Sequence, residues 1–320
     1  MKQSLLMIFA ALFIFSACTK ETEPKIDRLA LVERNNPHVT KFDSLTALSV
    51  GNGNFAFTVD ATGLQTYPES YALGIPLGTQ SQWGWHSYPN PSNFKPEETL
   101  EEYDFRGKKE LYAVQFNEKG RKQDAANWYR VNPHRLHLGN IGFELIKEDG
   151  SLVQPNEIEA IDQTLDLWNG VINSSFKVNN ELVKVETAVH PSKDHIVVNV
   201  SSPLISKGKL KINLRFSYPT GEHSDDACDR TVPDKHKTEV TSQSENEIVL
   251  KRTLDETTYY VTLKMNGKAE LTEKEKHYLL LTPESNNFSF ICEFTDSEQA
   301  IINSEINNTF EASAKYWQDF

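Results

Sequence analysis

Between residues 54 and 295, apolar side chains recur at every second position, and this period limits the chain more than any other feature. Successive side chains on an extended strand point to opposite faces, so a period of two writes one buried face and one wet face. The stretch Asn54-Phe-Ala-Phe-Thr-Val-Asp60 places Phe55, Phe57 and Val59 on one side. Residues 110–116, 141–146 and 257–265 alternate in the same way. Gly150, Asn179-Asn180 and Gly267 fall where chain reversals are needed, because both residue types tolerate positive φ. Val178-Asn-Asn-Glu-Leu-Val-Lys-Val185 therefore reads as a hairpin with two asparagines at its tip. Many strands and few helical stretches predict an all-β fold, a large antiparallel sandwich.

Two intervals break the period. Residues 89–110 read as a long polar loop, with the run Glu97-Glu98-Thr99-Leu100-Glu101-Glu102 as a solvated face. From Ser297 onward, Ile302, Ile306, Phe310, Ala314 and Trp317 recur at three- and four-residue spacing, which predicts an amphipathic helix. Its apolar stripe needs a surface. Packed back on the sandwich, it makes an independent module plausible; left exposed, it awaits a partner domain.

The chain opens with Met1-Lys2-Gln3 and an apolar run from Ser4 to Phe15 that is too short to cross a bilayer as a mature helix, so it reads as a secretory signal. Its ending, Phe15-Ser16-Ala17-Cys18, resembles a bacterial lipoprotein signal, whose cysteine is lipidated; ordinary secretion with cleavage nearby is the alternative. The expected organisation is a signal peptide over 1–17, a lipidated tether over 18–28, a sandwich over 29–296 and a linker helix over 297–320. The protein is then exported and held at the outer membrane, periplasmic or surface-facing, through the lipid anchor alone. A net charge of -12 argues against a nucleic-acid partner. Besides Cys18, the chain has Cys228 and Cys292, which an oxidising compartment could pair; spacing leaves this open.

Three further segments carry a family resemblance. Leu48-Ser-Val-Gly-Asn-Gly-Asn-Phe-Ala-Phe57 is similar to the Gly-Asn-Gly signature near the start of the N-terminal β-super-sandwich of six-hairpin glycosidases. Thr164-Leu-Asp-Leu-Trp-Asn-Gly-Val171, with the following hairpin and Thr187-Ala-Val-His-Pro191, resembles a later sandwich motif of that clan. Phe310-Glu-Ala-Ser-Ala-Lys-Tyr-Trp-Gln-Asp-Phe320 resembles the linker helix that joins the sandwich to a catalytic (α/α)6 barrel. The resemblance implies an exported enzyme that cleaves or phosphorolyses glycosidic bonds. Its acid and base carboxylates sit in the barrel, and the sandwich lends loops to the active-site rim. The barrel lies outside these 320 residues, so the expectation is a partial or truncated enzyme that is not catalytic alone. Glycoside hydrolysis needs two carboxyl groups about 5–10 Å apart. No such pair, and hence no catalytic residue, is assigned; Glu69 is the nearest candidate for a rim carboxylate. The partners implied are an oligosaccharide or polysaccharide and a separate (α/α)6 domain. The alternative is a self-contained glycan-binding surface lipoprotein, and a third reading is a docking platform.

The stretch Gln80-Ser-Gln-Trp-Gly-Trp-His-Ser-Tyr-Pro-Asn-Pro-Ser-Asn-Phe94 supplies the candidate binding residues. Sugars present apolar C–H faces and a rim of hydroxyls, which flat rings and polar side chains meet together. Gln82, Trp83, Trp85, His86 and Tyr88 combine both kinds, and Gly84 frees the tryptophans from strand alternation. A plug at one end of the sandwich is the competing use of the same rings. Neither a cofactor nor a metal is expected. His134 and His137 fall on opposite strand faces, which disfavours a shared metal. Arg130 and Arg135 either reach a substrate hydroxyl or pair with nearby acids. The stretch Glu222-His-Ser-Asp-Asp-Ala-Cys-Asp229 lacks the order of a calcium loop and reads as an acidic surface turn. Cys228 has no assignable base beside it, and Asn52 between two glycines reads as a tight turn into the Phe55 strand.

Overall fold

The computed structural model describes residues 26–298 and 305–320; the expected signal peptide, Cys18 and Ile302 lie outside them. Residues 26–35 hold a short helix, Arg28–Glu33, whose Asp27 cap accepts a hydrogen bond from the Ala30 amide. From Asn36 to Phe320 the chain forms a second unit, in which all strand pairing is antiparallel. Its largest sheet has nine strands. In spatial order they are His38–Val39, Glu159–Asp166, Val171–Val178, Glu181–Val189, His195–Ser201, Asn287–Thr295, Thr257–Met265, Glu247–Leu254 and His236–Gln243. Facing it are a four-stranded sheet (Ala269–Glu275, Tyr278–Pro283, Leu210–Arg215, Asn140–Leu145) and a three-stranded one (Leu48–Gly51, Phe55–Val59, Thr79–Ser81).

One apolar cluster fills the space between them. Phe55 stacks on Phe294 at 5.8 Å, and Phe143 lies 6.5 Å from Phe176, joining both smaller sheets to the large one. Alternation explains most of this: Ile172, Ser174, Phe176 and Val178 are buried, while Asn173 and Lys177 are exposed. Asn179 and Asn180, at φ 50° and 64°, turn the chain into Glu181–Val189. The left-handed pair suits the right-handed twist of the flanking strands.

Alternation fails where a strand is covered twice. All six residues of Asn140–Leu145 are buried. Gly142 allows this, because a Cβ there would stand 2.4 Å from the Gln65 carbonyl oxygen that crosses over it. On the large sheet, Ala188, Val197 and Ile291 face away from the main core and are still fully buried. The terminal helix, Ile306–Asp319, covers them with Ile306 and Phe310. Ile306 and Phe310 of the amphipathic stripe thus pack back on the sandwich.

The expectation for residues 89–110 is corrected. Residues 89–110 are not a structureless loop: they hold a one-turn helix, Pro96–Thr99, and most of a hairpin, Leu100–Phe105 with Lys108–Ala113. Both faces of that hairpin are wet, so the alternation at residues 110–116 marks a strand but not the buried face expected of it. Cys228 and Cys292 are both free, Cys292 being buried within a central strand. A helix, Arg121–Val131, stands where the sequence announces none, burying only Ala125 and Ala126.

Candidate functional site

Asn52 makes the turn that the sequence assigns to it. Its Oδ1 accepts the amides of Asn54 and Phe55, and its Nδ2 donates to the carbonyls of His190 and Lys193. The turn is therefore bolted to the large sheet. Beside it opens a cleft of about 590 Å³, floored by the outer face of the three-stranded sheet. Ser49, Asn54, Gln80 and Gln82 line it with hydroxyls and amides; Leu165, Leu167 and Trp317 give it apolar walls. Arg135 completes the rim. The 48–57, 164–171 and 310–320 segments, far apart along the chain, all border this one cleft.

Trp317 is placed by a close fit. Gly170 has φ +66°, and a Cβ there would meet the indole Cδ1 at 2.1 Å. The Ser313 hydroxyl donates to the Asn169 carbonyl at 3.2 Å, and Gln318 donates to the Asn169 side chain at 2.9 Å. A second space of about 580 Å³ lies on the outer face of the large sheet, lined by Asn173, Lys184, Glu186 and Asn199. It offers polar groups but no tryptophan, tyrosine or histidine ring.

The five candidate residues of the aromatic stretch divide. Gln82 is exposed on the cleft wall, and its carbonyl accepts the indole N–H of Trp85 at 2.9 Å. Trp85 is 43% exposed and carries the Arg135 guanidinium 4.2 Å above its ring. Trp83 turns the other way: it packs on the main core, lies 6.2 Å from Tyr259 and donates to Asp194 at 2.8 Å. His86 is buried between His134 and Asp255, at 3.0 Å from each. Burial, then His134, holds its pKa below the ordinary imidazole value against the pull of Asp255. Tyr88 donates to the Pro219 carbonyl at 2.8 Å. Trp83, His86 and Tyr88 thus plug the fold, while Gln82 and Trp85 face outward. Gly84 does not use the left-handed backbone region expected of it; its amide closes a turn on the Ser81 carbonyl between the two rings.

The remaining candidates have other partners. Glu69 pairs with Arg215 at 2.7 Å and Arg230 at 3.8 Å; burial raises its pKa, but both cations outweigh it and hold the carboxyl below its ordinary value. His137 is buried and bonded to the Leu77 carbonyl at 2.9 Å, well separated in partners from His134. Asp225, Asp226 and Asp229 accept amides two residues ahead, closing local turns. Burial pushes the Cys228 thiol up to about 11, which keeps it protonated and unreactive. Among the described residues, no group of three or more His, Cys, Asp or Glu could hold a metal ion. The contributions of Arg135 and Trp317 to one rim were beyond sequence reading, because only tertiary packing joins them.

No protein-family model and no curated protein matches the chain. Among solved structures, it is similar to a putative kojibiose phosphorylase from human microbiome, with 13% identity and a TM-score of 0.48. The alignment covers 90% of this chain and 36% of that one, so the chain spans about a third of that protein's length.

Proposed function

We propose that Asn36–Phe320 is a carbohydrate-contacting sandwich domain and that the cleft beside Asn52 receives the saccharide. The observation that carries this reading is convergence. The three segments that resemble parts of a six-hairpin glycosidase surround a cleft that also holds Gln82, Arg135 and Trp317. Amides and hydroxyls on the floor suit sugar hydroxyls, and apolar walls suit C–H faces. In its finer form the reading is the N-terminal part of a six-hairpin glycoside hydrolase, with the acid and base on a separate (α/α)6 domain. Among the described residues no acidic side chain lines the cleft, so hydrolysis here would need carboxylates from elsewhere. Export and lipidation at Cys18 belong to the same reading, and mass analysis of the mature N-terminus tests them.

The second reading, a self-contained glycan-binding lipoprotein, draws on the terminal helix, whose Ile306 and Phe310 are satisfied by the sandwich. Calorimetric titration with a panel of oligosaccharides tests the shared core of both. Binding by the wild type that Q82A and W317A each weaken at least tenfold supports it. No binding across the panel, or binding indifferent to both substitutions, refutes it. Turnover of a glycoside by the purified chain refutes the need for a separate catalytic domain.

A further inference from the structure

We propose that the cleft selects acidic saccharides, with Arg135 receiving a sugar carboxylate. This rests on the reading of the cleft as a saccharide site and adds the class of sugar. Among the described residues, Arg135 is the only charged side chain on the wall, in a protein whose net charge is -12. Four other arginines are engaged with protein groups: Arg121 with Glu98, Arg215 and Arg230 with Glu69, and buried Arg252 with His236 and backbone carbonyls. Arg135 has no ion-pair partner among the described residues; its contacts are a ring face and a carbonyl.

Those contacts fix the plane of the group without consuming its edge. The guanidinium stacks 4.2 Å over Trp85, and one N–H donates to the Ser81 carbonyl at 3.0 Å. Arg135 and Trp85 also face each other across a two-stranded ladder, so the stack is anchored at both backbones. A guanidinium has five N–H donors in one plane, and stacking uses none of them. The remaining edge matches two carboxylate oxygens, a geometry that a single hydroxyl does not fill. Apolar walls at Leu165, Leu167 and Trp317 reduce screening and favour a ligand of opposite charge. A sulfate ester offers anionic oxygens too, but the planar fork favours the carboxylate.

The test compares uronate-containing oligosaccharides with their carboxyl-reduced neutral twins and with sulfated oligosaccharides, by titration calorimetry on the full chain. The expected result is binding of a uronate form at least tenfold tighter than its twin, weakening as salt rises. R135Q should erase the difference, read as the ratio of the two twins' affinities within the same variant. R135K, still positive but without a fork, should lose most of it. Equal affinity of the twins overturns the proposal and leaves the saccharide reading standing; no binding of either overturns both. Full selectivity in R135K, or tighter binding of the sulfated form, overturns the carboxylate fork. The twin comparison uses the wild type, so it holds even if a variant misfolds.

Discussion

Replacing Gly170 by alanine should loosen the terminal helix from the sandwich. The new Cβ would fall 2.1 Å from Trp317 Cδ1, 2.3 Å from its Nε1 and 2.9 Å from the Ser313 hydroxyl. None of these is tolerable, so the indole must leave its seat. Holding alanine at φ +66° costs about 1–2 kcal/mol by itself. Releasing a half-buried indole exposes roughly 100 Å² more apolar surface, about 2.5 kcal/mol at 25 cal/mol per Å². Partial relaxation trims the sum to about 3 kcal/mol, or a fall in melting temperature of roughly 5–10 °C for a chain of this size. Gly150→Ala is the control: its φ is +85°, and its Cβ would meet nothing within 4 Å, so it carries the backbone cost alone. Thermal melts of both variants, with amide exchange of Ile306–Asp319, separate the clash from the backbone term. G170A melting with G150A, and a helix as protected as in the wild type, would refute the seating argument.

Other outcomes follow from the same packing. Trp83→Ala should cost about 2–3 kcal/mol, measured by urea denaturation, because it opens a partial cavity and strips Asp194 of a donor; Trp85→Ala should cost under about 1 kcal/mol, its ring being 43% exposed. His137, bonded to the Leu77 carbonyl, has its pKa lowered by burial from 6.5 to about 4. The unfolded chain then takes the proton first, so stability falls as pH drops from about 6.5 toward 4, by up to about 3 kcal/mol from this residue. Urea midpoints between pH 7 and pH 4 should show a shallower decline in His137→Gln than in the wild type, and parallel declines would remove His137 as the cause. Replacing Asn179 and Asn180 together by alanine should cost about 2 kcal/mol, since both sit at positive φ, and a Gly-Gly replacement should recover most of the melting temperature.

The parts of the fold that were legible in sequence share one property: each has one wet face and one dry face. Phe55–Val59 and Thr257–Met265 carry that alternation, and the Asn179-Asn180 tip marks its own reversal. The hairpin at Leu100–Phe105 and Lys108–Ala113 is wet on both sides, and Asn140–Leu145 is dry on both. The alternation at residues 110–116 and 141–146 does not translate into one wet and one dry face, because the number of faces covered is a property of neighbours. The helix Arg121–Val131 was hidden for a related reason, as its buried surface is two alanines.

For the candidate site, the sequence supplied residue types and local turns: rings and amides after Gln80, a glycine between two tryptophans, and an asparagine bent into a turn at 52. Tertiary structure decided their uses. Trp83 and His86 were drawn inward because Asp194 and Asp255 wait there, while Trp85 stayed outside under Arg135. A side chain's direction within a loop follows from the groups that distant strands bring to it, and those distances are set by strand order across the sheets. Alternation along the chain could write the sandwich; only the pairing of its strands could gather Asn54, Gln82, Arg135 and Trp317 around one cleft.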